Sequence, residues 1–263
     1  MTFTALEIKN QLKPKWLTIS LFIQVFLLVP IYWLLIKAQL GNSLHSFASF
    51  DSRLLFLSEA FLALFIAPIA PSMSVIKARK KWRELSLTRI KSIRILLGNL
   101  IGGQFYPLLF LACSFIITSI ILSIIRHIPF SIIFNAHIFL LICLFTYGAI
   151  GILCAIITNE FLFSLALTYL ITAFFVGGVI LATPLHNIDN LGPIKSLVLN
   201  INPIVAVCGT IHFDIFRTQY LYELAPIASS VLRYPAWYTI GLWHLILMLI
   251  SLGIASLLCR NNE

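Results

Sequence analysis

Residues 77–99 read KARKKWRELSLTRIKSIRILLGN and hold eight of the eighteen Lys and Arg of the chain: Lys77, Arg79, Lys80, Lys81, Arg83, Arg89, Lys91 and Arg94. One acid, Glu84, interrupts them. Between the charges, Trp82, Leu85, Leu87, Ile90, Ile93 and Leu97 recur mostly at three- and four-residue steps, the signature of one or two short amphipathic helices. Apolar runs long enough to cross a bilayer flank the stretch on both sides, so it reads as a loop between spans. Its positive charge places that loop on the cytoplasmic side.

Composition agrees. The 263 residues are 60% hydrophobic and 10% charged, with a mean hydropathy of +1.01, whereas soluble domains carry roughly 25% charged residues. The chain reads as an all-α integral membrane protein forming one domain over 1–263. Its net charge of +9 sits beside the spans, where orientation and anionic lipid head groups account for it, and nucleic acid is not expected as a partner. The five cysteines, Cys113, Cys143, Cys154, Cys208 and Cys259, have no C-x-x-C spacing, so neither a disulfide framework nor a metal site is expected.

Working outward, six spans are expected at about 16–36, 54–76, 100–125, 135–157, 161–182 and 237–259. The first is too long for a signal-peptide core and reads as a retained anchor. Pro68 and Pro71 fall in the inner half of the second span. Each frees a carbonyl one turn earlier, so that face is expected against protein or a cavity, not lipid. With this arrangement twelve Lys and Arg lie inside and six outside, which puts both termini in the cytoplasm. The stretch 183–236 holds five of the eleven prolines and the apolar run SLVLNINPIVAV. That run is too short to span, so short re-entrant external helices are expected between spans five and six.

Small and polar residues inside the spans mark candidate contacts. Gly98 and Gly102 form a G-x-x-x-G step, and Gly177 and Gly178 lie near the outer end of the fifth span; all four are expected where helices approach closely. Gln24 and Gln104 are expected to bond between helices. Glu59 is the one acid clearly inside an apolar run, and a charge there is either functional or held near the outer interface by Arg53; the second is favoured. His137 and His244 are the two histidines in or near a span, and helix contact outweighs haem or metal ligation for them. No G-x-S-x-G, H-E-x-x-H or P-loop occurs, so no catalytic residue is expected in this chain.

RKKWRELSLTRIKSIRILLGN is similar to a pattern of type-2 ATP-binding-cassette (ABC) exporter permeases: a basic and acidic start, E-x-x-L-L, a turn, then a basic residue and I-L-L-G-K. LNINPIVAV resembles the N-P-[FIL] segment that precedes the external helices of that family. The chain departs from the pattern in having Arg89 and Ile90 where a proline is frequent, and Asn99 where a lysine is frequent. The resemblance implies a transport subunit in the cell inner (cytoplasmic) membrane, paired with a second permease subunit. ABC ATPase subunits would dock through a coupling helix at Trp82, Arg83, Glu84, Leu85 and Thr88, and Asn202 and Pro203 would belong to an external gate. It implies no cofactor on this chain, with ATP and Mg held by the partner ATPase, and a lipidic or amphipathic substrate. A permease-like subunit for haem or metal-protein maturation, and a non-transporting membrane scaffold, remain alternatives.

Overall fold

Where prolines enter an apolar helix the backbone hydrogen-bond ladder loses a donor, and the second expected span breaks there. A computed structural model describes residues 52–79, 92–126, 128–182, 192–213 and 234–260. The expected first span, 16–36, and the stretch 80–91 lie outside the described residues. Helix α1 (Ser52–Ile66) stops before Pro68, and α2 (Ile69–Arg79) resumes after it. The bonds Ala67 N to Ala63 O at 3.0 Å and Ser72 N to Pro68 O at 3.1 Å carry the chain through the bend.

Seven further helices follow: α3 (Ser92–Gly103), α4 (Phe105–Arg126), α5 (Phe130–Thr158), α6 (Phe161–Ala182), α7 (Gly192–Ile201), α8 (Pro203–Thr210) and α9 (Trp237–Arg260). The described residues are helical with no strand, and five helical stretches are long and apolar enough to cross a membrane: Phe56–Ala78, Ser92–Ile120, Phe130–Thr158, Phe161–Gly178 and Trp237–Cys259. Two expected boundaries move. The third span begins eight residues early, at Ser92, and Asn99 within it is buried and accepts a bond from Ser74 Oγ at 2.6 Å. The fourth begins at Phe130, directly after Pro129, whose fixed φ suits a helix start.

Helix α5 is the hub. It is apolar around its whole circumference, as a helix enclosed by others over most of its length should be, and 72% of its apolar window is buried against 17% for α6 and 28% for α9. The contacts give the directions. Glu59 meets His137 and Gly151 faces Pro68, so α1 and α2 run parallel to α5. Gln104 meets Leu144 and Thr118 meets His137, so α3 and α4 run antiparallel to it, as does α6, whose Ser164 reaches the Gly151 carbonyl at 3.3 Å. Asn159, with φ 60°, closes the α5–α6 turn in the left-handed conformation that asparagine tolerates.

The core divides into two clusters. One, at the end where α5 begins, contains Phe56, Leu140 and Leu144 together with Ile204 to Cys208 of α8. The other, at the opposite end, contains Val75, Leu96, Leu100, Ile152 and Ala255. Outside them lies an apolar exterior that water would not hold: Leu162, Phe163, Leu170 and Phe174 of α6 and Tyr238, Leu242, Leu249 and Leu257 of α9 are exposed. All five cysteines are free.

Candidate functional site

Three polar groupings sit inside this apolar bundle. The first repairs the proline break. Pro71 has no N–H to give the Ala67 carbonyl, and Gln104 Nε2 supplies the missing donor at 3.0 Å while also reaching the Leu144 carbonyl at 2.9 Å. One side-chain amide thus ties the bend to α3 and α5, as expected of both Gln104 and the prolines. Glycines make the room. A Cβ on Gly148 would collide with the Gln104 amide, one on Gly151 would lie 2.9 Å from Pro68 Cβ and 2.7 Å from Ser72 Oγ, and one on Gly103 would lie 2.7 Å from the Pro71 Cα and N.

The second grouping is acid and base. Glu59 of α1 is wholly buried and its Oε1 lies 3.1 Å from His137 Nε2. Within the bundle the carboxyl is thus given a buried imidazole on α5 as its partner, a pairing that the sequence reading did not anticipate. His137 Nδ1 lies 2.9 Å from the Ile133 carbonyl. Thr118 Oγ1 donates to the Ser114 carbonyl at 2.8 Å and lies 3.4 Å from His137 Nε2. The rings of Phe56 and Phe115 close the site edge-on, 5.1 and 4.8 Å from the imidazole. Glu59 Oε2 meets no donor among the described residues.

The third grouping fixes the short helices. Asn202 Oδ1 accepts from the N–H groups of Ile204 and Val205 at 2.9 and 3.1 Å, which caps α8, and Pro203 occupies the first turn where no N–H is needed. Asn202 Nδ2 donates to the Val176 carbonyl of α6 at 2.7 Å. One buried side chain therefore starts α8 and anchors it to a long helix. Asn202→Ala should lower stability by about 1–2 kcal/mol, the usual worth of a cap, and the unfolding temperature of the purified protein in detergent checks this. Asn202→Asp, which keeps the cap and loses the donor, should fall between the two.

His244 of α9 is buried, with Nδ1 3.0 Å from the Ile240 carbonyl and Phe139 and Tyr147 against its ring. Thr146 donates to the His244 carbonyl at 3.1 Å. His244 is thus a helix contact between α5 and α9, and its neighbours are not those of His137. Among the described residues no group of three or more His, Cys, Asp or Glu could hold a metal.

Gly98 and Gly102 are buried in α3, yet the closest approach falls on Gly103. Gly178 is in ordinary contact with Val198 at 3.4 Å, and around Gly177 the described residues leave open space. Trp82, Arg83, Glu84, Leu85 and Thr88 lie outside the described residues. Sequence reasoning missed Thr118, Gly103, Gly148, Gly151 and the Ser74–Asn99 bond. The run GAIG at 148–151 carried a signal for the glycines, being two small residues one turn apart in an otherwise bulky helix. A scan of the chain against protein-family models finds no match, and a search of the curated proteins finds none either.

Proposed function

We propose that the chain is the transmembrane subunit of an ATP-driven ABC exporter, paired with a second permease subunit and served by separate ATPase subunits. In this reading it has six spans, with both termini and residues 80–91 on the cytoplasmic side and α7–α8 on the outer side of the inner membrane. A lipidic or amphipathic cargo leaves the cytoplasm along apolar helix faces. The observation that carries the reading is the pair α7–α8: two short helices between the last two long ones, the second packed on α1, α5, α6 and α9 rather than crossing the bundle. The proline bend adds mechanical support. Residues 80–91 connect α2 to α3, and those helices touch through Pro71 and Gly103 and both pack on α5. A push on that connection is delivered to the hub.

Trp82→Ala tests it. A buried tryptophan anchor is commonly worth 2 kcal/mol or more at an interface, so the variant should insert normally yet lose the ATPase on purification or uncouple hydrolysis from export. Lys80→Gln with Lys81→Gln should keep the complex at low salt, since rim charges act mainly on association rate. Should Trp82→Ala leave binding and transport intact while the lysine pair abolishes insertion, residues 77–99 are a topology signal and the exporter reading fails.

A further inference from the structure

We propose that the proline bend holds one ordered water molecule, bound between Ser72 of α2, Gln104 at the junction of α3 and α4, and the Leu64 carbonyl of α1. The ligand is water, and the site stands whether or not the chain serves an exporter. Two side chains there carry hydrogen-bonding capacity that the protein leaves unused. Ser72 and Gln104 are both wholly buried, and Ser72 Oγ and Gln104 Oε1 meet no partner among the described residues. The amide nitrogen of Gln104 is fully committed, since its two hydrogens go to the carbonyls of Ala67 and Leu144. Its oxygen can only accept, and the Ser72 hydroxyl has a hydrogen to give. Burial without a partner is costly for both groups.

The two groups rest on adjacent turns of α5. A Cβ on Gly148 would collide with the Gln104 amide, and one on Gly151 would lie 2.7 Å from Ser72 Oγ. Positions three apart on a helix stand about 5–6 Å from each other, a spacing that one molecule bridges with two bonds of about 2.8 Å. Glycine at both positions removes the side chains that would otherwise occupy this strip of α5.

The backbone adds the third ligand. Pro68 has no N–H to give the Leu64 carbonyl, just as Pro71 has none for Ala67, and Gln104 serves only the second. Leu64, Pro68 and Ser72 recur at steps of four and so follow one face of the bent helix. That face meets α5 at Gly151, whose Cβ would lie 2.9 Å from Pro68 Cβ. Donors and acceptors then match: water gives its two hydrogens to Gln104 Oε1 and the Leu64 carbonyl and accepts from the Ser72 hydroxyl. Three bonds are usual for a buried water, and ordered waters are one of the means by which a proline break inside a membrane helix is made good.

The test uses the full-length protein, carbon-13 labelled in serine and glutamine, in phosphatidylcholine vesicles. Solid-state spectra edited for magnetisation that starts on water should show early transfer to Ser72 Cβ and Gln104 Cδ. Transfer to Ser251 of α9, which is also buried, should be late. Ser72→Ala and Gln104→Leu assign the two signals. Ser72→Val, which puts a methyl group where the hydroxyl stood, should lose the early transfer to Gln104 Cδ. Late transfer to both positions in the native chain means that Ser72 and Gln104 bond to each other or to the backbone, and overturns the proposal. Early transfer to Ser251 as well means general wetting of the bundle, and overturns it too. So does early transfer to Gln104 that persists in Ser72→Val. Where that variant does not fold, the native spectrum decides by itself.

Discussion

Gln104→Leu should cost about 2–6 kcal/mol of stability, a large loss for a conservative change in volume inside a membrane helix. Two terms add. The side chain gives up two interhelical bonds, each worth about 0.6–1.7 kcal/mol in a bilayer, and the Ala67 carbonyl, which Pro71 cannot serve, becomes a buried acceptor without a donor at about 1–3 kcal/mol. Leu144 suffers less because its carbonyl lies within a regular helix. The check is thermal or denaturant unfolding in detergent, read beside Pro71→Ala. That second substitution returns an N–H to the ladder, so in the Pro71→Ala background Gln104→Leu should lose at least a third less than it does alone. Equal losses in both backgrounds would mean that Gln104 does not serve the proline break.

Gly103→Val should be still more damaging, and two distant glycines provide the comparison. A Cβ at position 103 would stand 2.7 Å from the backbone of Pro71, and a proline ring in a bend cannot slide aside as a flexible side chain would. The helices must part. Overpacking of this kind costs about 1–3 kcal/mol where side chains absorb it and more where backbone must move, so we expect more than 3 kcal/mol or loss of the folded protein. Gly177→Ala and Gly253→Ala meet open space around the new methyl among the described residues and should be neutral or stabilising by up to about 1 kcal/mol. Size-exclusion profiles and unfolding temperatures of the four proteins separate a close contact from a general sensitivity to glycine replacement.

The amino-acid sequence carried the spans well because a bilayer asks for a property that can be read locally, namely about twenty apolar residues in a row. The fifth and sixth expected spans coincide with α6 and with Trp237–Cys259. The prolines and Gln104 were legible for a related reason: an unserved carbonyl demands a donor wherever the chain folds. Pairings between distant positions were not legible. Nothing near Glu59 announces that its partner is seventy-eight residues away on α5, and Arg53 was the only base that local spacing could offer. The bond of Asn99 was hidden for the same reason, since its partner Ser74 lies twenty-five residues earlier. The glycines show the limit at finer scale, since G-x-x-x-G marks a surface fit for close packing, while the register that places Gly103 rather than Gly102 on Pro71 depends on the rotation of two helices.

Seventy-eight residues are also an interval of time. At a synthesis rate of roughly 5–20 residues per second, α1 leaves the ribosome roughly 4 to 16 seconds before His137 exists. During that wait Glu59 lacks its histidine, and an acid in the bilayer is disfavoured by up to about 2.5–3.5 kcal/mol, the figure for mid-depth. The helix that carries the acid is therefore disfavoured in the bilayer until α5 arrives. Helix α5 itself carries no acid, lysine or arginine and enters unaided. The hub enters third of the described long segments, and the acid-bearing span made before it gains its buried partner only then.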